Sequence, residues 1–344
     1  MRAGSADPAA VAVEALADEQ DLQKTLASID AELLGRRFEV AKGKVRDWVD
    51  LGDRLLLVTT DRVSAFDRVL TTIPLKGEVL NQMSLFWFDA TAHIAANHVV
   101  RAVTPRSVLV DKCVVIPIEV VVRGYLTGSA YRDYERSGVV SGIQLPVGML
   151  FNQRFERPLL TPQTKAARGE HDMAISRQQL LARDLVKQDV WETVETLAMQ
   201  LYEFGARAAA KQGLILVDTK YEFGVRDGEI VLADEVHTPD SSRYWLSSTY
   251  KQNYDAGKEP DNIDKEFIRK WIRGKCQEEG VDVYADKLPS IPADMVVETS
   301  KRYMQLYDLI TGDTYVPANT SSYDYDALSS VPASSASTST TTTQ

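Results

Sequence analysis

Residues 213–245 read GLILVDTKYEFGVRDGEIVLADEVHTPDSSRYW, and the turn inside this stretch decides how the chain can use it. The apolar run 214–217 has strand character. Polar and apolar residues then alternate through Asp218, Lys220 and Glu222 to Val225. Asp227-Gly228 is a hairpin turn signal, and a second strand comes after it over 229–234. A strict two-residue turn would pair Glu222 with Ala233 and leave Glu222 and Asp234 on opposite faces. A three-residue turn over 226–228, with Gly228 left-handed, would pair Lys220 with Asp234. Strand side chains alternate, so Lys220, Glu222 and Asp234 would then share one face. The three-residue turn is the expectation adopted, and it makes Tyr221, Phe223, Val225 and Val231 the packing face. Two carboxylates beside one ammonium suit a magnesium ion carrying phosphates. Taken from the hairpin alone, a solvated charged face with a surface ion pair fits better.

Composition narrows the partners. The chain has 344 residues, 44% of them hydrophobic, which suits one large or two modest domains with a real core. Its net charge of −10, from 39 basic and 49 acidic residues with no basic tract, argues against nucleic acid. Local Arg and Lys can still hold phosphorylated small molecules. Two cysteines make neither a disulfide framework nor a zinc site, so a reducing, cytosolic setting is expected. No apolar run approaches the length of a membrane span. Asp7, Glu14, Asp18, Glu19 and Asp21 oppose an organelle transit peptide.

Outward from the central stretch, Gly43-Lys44-Val45-Arg46-Asp47 reads as a glycine turn between strands. A glycine lets backbone approach a phosphate, and Lys44 and Arg46 supply charge. It is not a Walker loop, because Lys44 is followed by Val45, and an ordinary hairpin turn explains it as well. Asp61 and Asp67 flank a short polar turn in which Ser64 could cap the next element, and 77–97 has a helical apolar period. His93 and His98 are wrongly spaced for one helix face and receive no role. In the strand-like run before Thr127-Gly128-Ser129, Arg123 could fork onto a phosphate or onto a structural carboxylate; both readings stay open. The polar stretch 161–176 reads as a loop of the kind that covers sites, closed by a Ser176–Gln179 capping box. A long helix over 190–211 carries Trp191, Val194, Leu197, Leu201, Phe204 and Ala208 on one stripe, and a polar connection lies at 250–261. Asp264 caps one later helix, and Pro292 starts another that Gly312 ends.

These pieces resemble a known family. VVIPIEVVVRGYLTGS (114–129) and LVDTKYEFG (216–224) look like the two signature segments of the SAICAR synthetases (phosphoribosylaminoimidazole-succinocarboxamide synthases). GKVRD (43–47), TDRVSAFD (60–67), TPQTKAARGEHD (161–172) and DEVHTPDSSRYW (234–245) match further segments in order. The likeness covers about residues 30–312 and is closest to the yeast-like form. It implies an α+β, two-lobed fold: a small antiparallel N-terminal lobe related to kinase nucleotide lobes, a larger α+β lobe, and ATP in the cleft between. The expected division is an extension at 1–30, an ATP-binding lobe at 31–118, a substrate and metal lobe at 119–315, and a disordered Ser/Thr-rich tail at 316–344. The implied reaction joins L-aspartate to the carboxylate of carboxyaminoimidazole ribonucleotide (CAIR) with ATP and Mg²⁺, in de novo purine synthesis. Glu222 and Asp234 would bind the metal. Gly43, Lys44 and Arg46 would contact ATP phosphates, and the segment at Glu119 would hold adenine. Arg123, Ser129 and Arg243 would hold CAIR, Lys220 would steady the transferred phosphoryl, and Lys165 and Asp172 would belong to a substrate lid. The expectation is a monomer with no nucleic-acid or membrane partner. A small-molecule kinase on a related frame is the alternative.

The tail supports one prediction. Residues 319–344 carry too little apolar surface to offset the entropy of ordering them. Deleting them should leave melting temperature and turnover unchanged; a large fall in melting temperature would show that the tail docks.

Overall fold

The computed structural model describes residues 39–165, 173–284 and 287–318, with the backbone of two paired strands, Glu32–Leu33 and Arg36–Arg37. The expectations for residues 1–30, for Asp172 and for the tail beyond Ala318 lie outside the described residues.

The first sheet is antiparallel. It comprises β1 (Val40–Lys42), β2 (Arg46–Asp50), β3 (Arg54–Thr59), β6 (Val99–Thr104) and β7 (Ser107–Asp111), in the order β1-β2-β3-β7-β6. Its first turn needs a glycine. The Gly43 amide donates to the Arg46 carbonyl at 2.8 Å, and a Cβ at 43 would lie 2.7 Å from that oxygen. Between β3 and β6 come a small hairpin, β4 (Arg62–Ala65) and β5 (Arg68–Thr72), and helix α1 (Lys76–Ala90). Ser64 therefore sits inside a strand rather than at a cap, and Phe66 and Asp67 make the turn with positive φ.

The second sheet is built on β12 (Leu214–Arg226). One edge of this strand pairs with β8 (Val114–Val115) and β9 (Ile118–Leu126); the other pairs with β13 (Glu229–Ala233) and β14 (Ser242–Leu246). Outside β9 lie β10 (Gln153–Thr164) and β11 (Met173–Ala174). The expected boundary between lobes at 118/119 thus falls just after Pro117, while β8, ahead of it, already belongs to the second sheet. Of the stretch expected as a loop at 161–176, residues 161–164 and 173–174 are strand and 166–172 lie outside the described residues; the capping box at Ser176 opens α3 (Arg177–Ala182). Helix α5 (Ser247–Asp255) stands where a plain connection was expected.

The three-residue turn does not form. Arg226 pairs with Glu229 and Glu222 with Ala233, so the turn is the two-residue Asp227-Gly228, with φ of 51° and 87°. Two consecutive left-handed residues match the twist of the flanking strands, and Asp-Gly tolerates both. The packing face becomes Tyr221, Phe223 and Val225 with Leu232, which takes the place expected for Val231.

Between α2 (Gly128–Ser137) and the β12 hairpin runs the long helix α4 (Gln188–Lys211). It buries Trp191, Val194, Leu201 and Tyr202 against β9 and β12, and α1 adds Met83, Trp87 and Phe88 to the same core. The helices α6 (Glu266–Glu279) and α7 (Ala293–Thr311) complete the fold. Asp264 Oδ1 accepts the Glu266 amide at 2.7 Å, and Gly312 ends α7 with φ of 78°. None of the helices among the described residues is long and apolar enough to cross a membrane.

Helix α7 packs Tyr303 and Met304 on Val79 and Leu80 of α1, and the chain then returns over α1. Tyr315 is buried; its hydroxyl donates to Glu78 Oε2 at 3.0 Å, and the Ala318 amide reaches the same oxygen at 3.3 Å. Arg106 ties Glu78 to Asp61, whose other oxygen accepts the Gly77 amide at 2.8 Å. Tyr315→Ala should cost ~3–5 kcal/mol in urea unfolding, as for other buried aromatic truncations. Tyr315→Phe, losing only the hydroxyl, should cost about 1 kcal/mol. No measurable loss in either would show that the strap does not carry stability.

Candidate active site

Alternation along β12 sends Tyr221 and Phe223 into the core and leaves Asp218, Lys220 and Glu222 on the other side; a register shift between Leu216 and Asp218 lets Leu216 join the same core. The Lys220 ammonium lies 2.6 Å from Glu119 Oε1 and 3.0 Å from Glu222 Oε1. The second oxygen of Glu222 takes the Lys165 ammonium. Burial opposes ionisation of Glu222, but Lys220 and Lys165 outweigh it and hold the carboxyl down at about 2. The same two carboxylates keep Lys220 protonated against its own burial.

Asp234 reaches this group by a route the sequence reading did not foresee. In the two-residue register it does not pair with Lys220. Instead β13 stops at Ala233, and Asp234 turns out of the strand with φ of 66°. Arg46, from β2, bonds Asp234 Oδ1 at 2.8 Å and Glu235 Oε2 at 3.1 Å. Burial pushes the Asp234 carboxyl up to about 6 against the pull of Arg46, with Glu222 and Glu235 adding to the rise. Glu222 on β12 and Asp234 just past the end of β13 are the two carboxylates expected to hold a metal. Among the described residues, no three His, Cys, Asp or Glu side chains form an all-protein metal cage. Two hard oxygen donors suit Mg²⁺, which fills its remaining positions with phosphate oxygens and water.

Beside this row lies a cavity of about 480 Å³, walled by Arg123, Ser129, Lys220, Asp240 and Arg243 among others. Asp218 holds two guanidiniums there. Arg243 grips it with two nitrogens, at 3.0 and 2.8 Å, and Arg123 approaches at 3.4 Å while donating to Thr161 Oγ1 at 2.9 Å. Arg123 thus meets a structural carboxylate and still lines the cavity. Its Nη2 lies 3.4 Å from Ser129 Oγ in the first turn of α2, whose cap Thr127 makes no side-chain bond to the helix amides. A Cβ on Gly128, which has φ of 58°, would lie 2.3 Å from Arg243 Nη1.

Two expected residues are engaged otherwise than foreseen. Lys44 is exposed and pairs with Asp67 at 2.9 Å, on the small β4–β5 hairpin. The Glu119 side chain is engaged by Lys220, so only the backbone around it is left for a base. Other participants were missed. Asp218 lies two residues before Lys220 on the same face, and the alternation argument would have found it. Glu235 follows Asp234 directly. Asp240 is fixed by buried Lys76 at 2.9 Å and by the Tyr303 hydroxyl at 2.6 Å. Arg269 and Arg273 line the cavity from α6. Their i, i+4 spacing was visible, but nothing in the sequence said which way that helix faces.

The loop between Asp234 and Arg243 rests on a buried imidazole. His237 Nε2 is 2.5 Å from the Tyr221 hydroxyl, Tyr244 donates to its carbonyl at 2.7 Å, and Gly205 lies against the ring. Burial pushes this imidazole down to about 3.

Residues 39–284 match the family model for SAICAR synthetase. The chain belongs to the SAICAR synthetase family. It is 48% identical over 284 residues to a phosphoribosylaminoimidazole-succinocarboxamide synthase of Legionella pneumophila, covering 80% of this chain and 88% of that protein. A synthase of the same name from Bacteroides thetaiotaomicron is 42% identical, covering 87% and 95%. Among solved structures, the SAICAR synthase of Saccharomyces cerevisiae complexed with SAICAR aligns with a TM-score of 0.71 at 36% identity, over 81% of this chain and 97% of that one. A SAICAR synthetase in complex with ADP aligns with a TM-score of 0.62 at 25% identity, over 81% and 100%. The α+β expectation therefore holds, the enzyme is a ligase, and the kinase alternative falls.

The buried imidazole gives a pH prediction. Unfolded, His237 takes a proton near its ordinary value of 6.5; folded, it stays neutral down to about 3. Its contribution to stability is present above 6.5 and is lost as pH falls toward 3. His237→Gln should flatten this acid limb, so the melting-temperature gap to the unaltered SAICAR synthetase should narrow from about pH 7 to about pH 5. A constant gap would place the acid loss elsewhere.

Proposed function

We propose that this SAICAR synthetase joins L-aspartate to CAIR at the charged row of β12 and the adjoining cavity, with ATP phosphates over Glu222 and Asp234. The supporting observation is a juxtaposition on β12: Lys220 and Glu222 lie on the same strand as Asp218, which holds the two guanidiniums of Arg123 and Arg243. A carboxylate is a poor acylating agent, because its leaving group would be oxide. A CAIR carboxylate oxygen attacks the γ-phosphorus and ADP departs. The aspartate amine then attacks the acyl carbon, phosphate leaves with the bonding pair, and the amine loses a proton. The protein has to position three substrates and neutralise charge. Mg²⁺ held by Glu222 and Asp234 would neutralise the β- and γ-phosphate oxygens.

In this reading Arg123, Ser129 and Arg243 hold the CAIR carboxylate and ribose phosphate, helped by the α2 amides. Lys220, kept protonated by Glu119 and Glu222, steadies the phosphoryl in flight. Gly43 and Arg46 approach ATP from the first sheet, and Lys44 reaches its phosphates by releasing Asp67. The connection around Pro117 and Glu119 takes adenine. The ATP lobe is assigned to 31–118, apart from β8 in the second sheet, and the substrate lobe to 119–315. We read the enzyme as a cytosolic monomer acting on small molecules alone. Its two cysteines are free, and the chain is acidic.

A coupled ADP assay, with each substrate omitted in turn, tests the reaction. ADP release that continues at full rate without CAIR or without aspartate would sink it. Arg123→Lys keeps the charge but loses the planar fork, so KM for CAIR should rise much more than KM for ATP, at ~1–3 kcal/mol. Equal effects on both would count against the assignment. Asp234→Asn should lower turnover by ~10²-fold, on the order of 3 kcal/mol, with partial recovery at high magnesium. Glu222→Gln should behave alike, and the double variant should be little worse than either, because the two act as a unit. Near-normal turnover of Asp234→Asn at low magnesium would move the metal elsewhere.

A further inference from the structure

Both oxygens of Glu222 are engaged by ammonium groups of the protein, one by Lys220 and the other by Lys165. The two lysines are not equivalent. Lys220 is shared with Glu119 at 2.6 Å and sits within β12. Lys165 follows the last residue of β10; its amide bonds the Pro117 carbonyl at 3.2 Å, and Thr164 pairs with Ile118. Its backbone is therefore fixed by the sheet, and only its four-carbon stem carries the ammonium to Glu222. Among the described residues Lys165 makes no other ion pair, and its side chain is 32% exposed, so it can leave without breaking the fold.

Mg²⁺ requires carboxylate oxygens at ~2.0–2.1 Å in near-ideal geometry. A metal that takes the Oε2 lone pair now facing Lys165 requires that ammonium to move aside. We propose that Lys165 is a resident counter-ion for the metal carboxylate Glu222: it holds that oxygen until metal–nucleotide arrives, is displaced by it, and then stands beside the transferring phosphoryl group as a positioning residue. The inference rests on the metal reading of Glu222 and Asp234. It adds that Glu222 is neutralised by a protein cation, so that metal entry and the relocation of Lys165 are one exchange. The carboxylate stays ionised and in place between turnovers, and the cation it gives up is delivered where anionic phosphate has just come in.

Manganese binding tests this without turnover. Free Mn²⁺ is read by electron paramagnetic resonance in the presence of saturating ADP, with the full chain, Lys165→Met, Lys165→Arg and Glu222→Gln, each checked for an unchanged melting transition. Lys165→Met should bind Mn²⁺ about fivefold more tightly, the scale of a partly exposed ion pair released from competition. Lys165→Arg, which retains a competing cation, should stay within about twofold of the unaltered enzyme. Glu222→Gln should bind more weakly. If Glu222→Gln weakens binding while Lys165→Met leaves it equal or weaker, the counter-ion proposal is overturned and the metal reading stands. If Glu222→Gln binds as tightly as the unaltered chain, the metal reading fails and the proposal falls with it.

Discussion

The site depends on the pairing of one strand on both edges. β12 is 13 residues long and is bonded to four other strands. Arg123 is brought opposite Asp218 on one side, and Arg243 opposite the same residue on the other. A slip of one residue in either pairing would turn Asp218, Lys220 and Glu222 into the core and Tyr221 and Phe223 into the cleft. The apolar side of the strand therefore fixes the polar side. Burying Tyr221 and Phe223 under α1 and α4 is what makes any other register unfavourable.

On that frame the charges are arranged by alternation. Glu119, Lys220, Glu222 and Lys165 form a line of opposite signs, and Asp234, Arg46 and Glu235 form a second. Desolvated pairs of this kind add little net stability, because the Coulomb gain is offset by the loss of hydration. Their effect is geometric. Each carboxylate is held by a cation from a different element, so the elements are brought into one arrangement before any substrate arrives. Asp240 shows the same logic: Lys76 of α1 and Tyr303 of α7 converge on a carboxylate that also faces the cavity.

Much of this was legible in residues 213–245. The alternation named Lys220 and Glu222, and the Asp-Gly pair named the turn. The length of the turn was not legible, because a three-residue and a two-residue loop fit the same residues and differ only in which φ angles turn positive. The shared face expected for Asp234 and Glu222 does not form, since Glu222 pairs with Ala233. Asp234 leaves the strand in a left-handed conformation and is anchored by Arg46, 188 positions away. Contacts at such separation carry no local signature. The same holds for Arg269 and Arg273 on α6. The family segments located Arg123 and Arg243, while Asp218, which joins them, needed only the period of two and was overlooked.

The return of the chain over α1 has a consequence for synthesis. Glu78 meets Tyr315 across 237 positions, and Pro74 meets Ser300 across 226. Helix α1 lies early in the chain, yet its Val79 and Leu80 are packed largely by residues of α7 and the strap. While the ribosome is still reading codons before about 315, Val79 and Leu80 remain wet and Glu78 lacks a donor from the tyrosine. The amino-terminal sheet can pair its strands as it emerges, but it cannot finish its own helix layer. A nascent chain of this protein thus leaves that helix layer unfinished until residue 315 has been made, and fragments that stop short of it expose an apolar helix face of the kind that chaperones and proteases recognise.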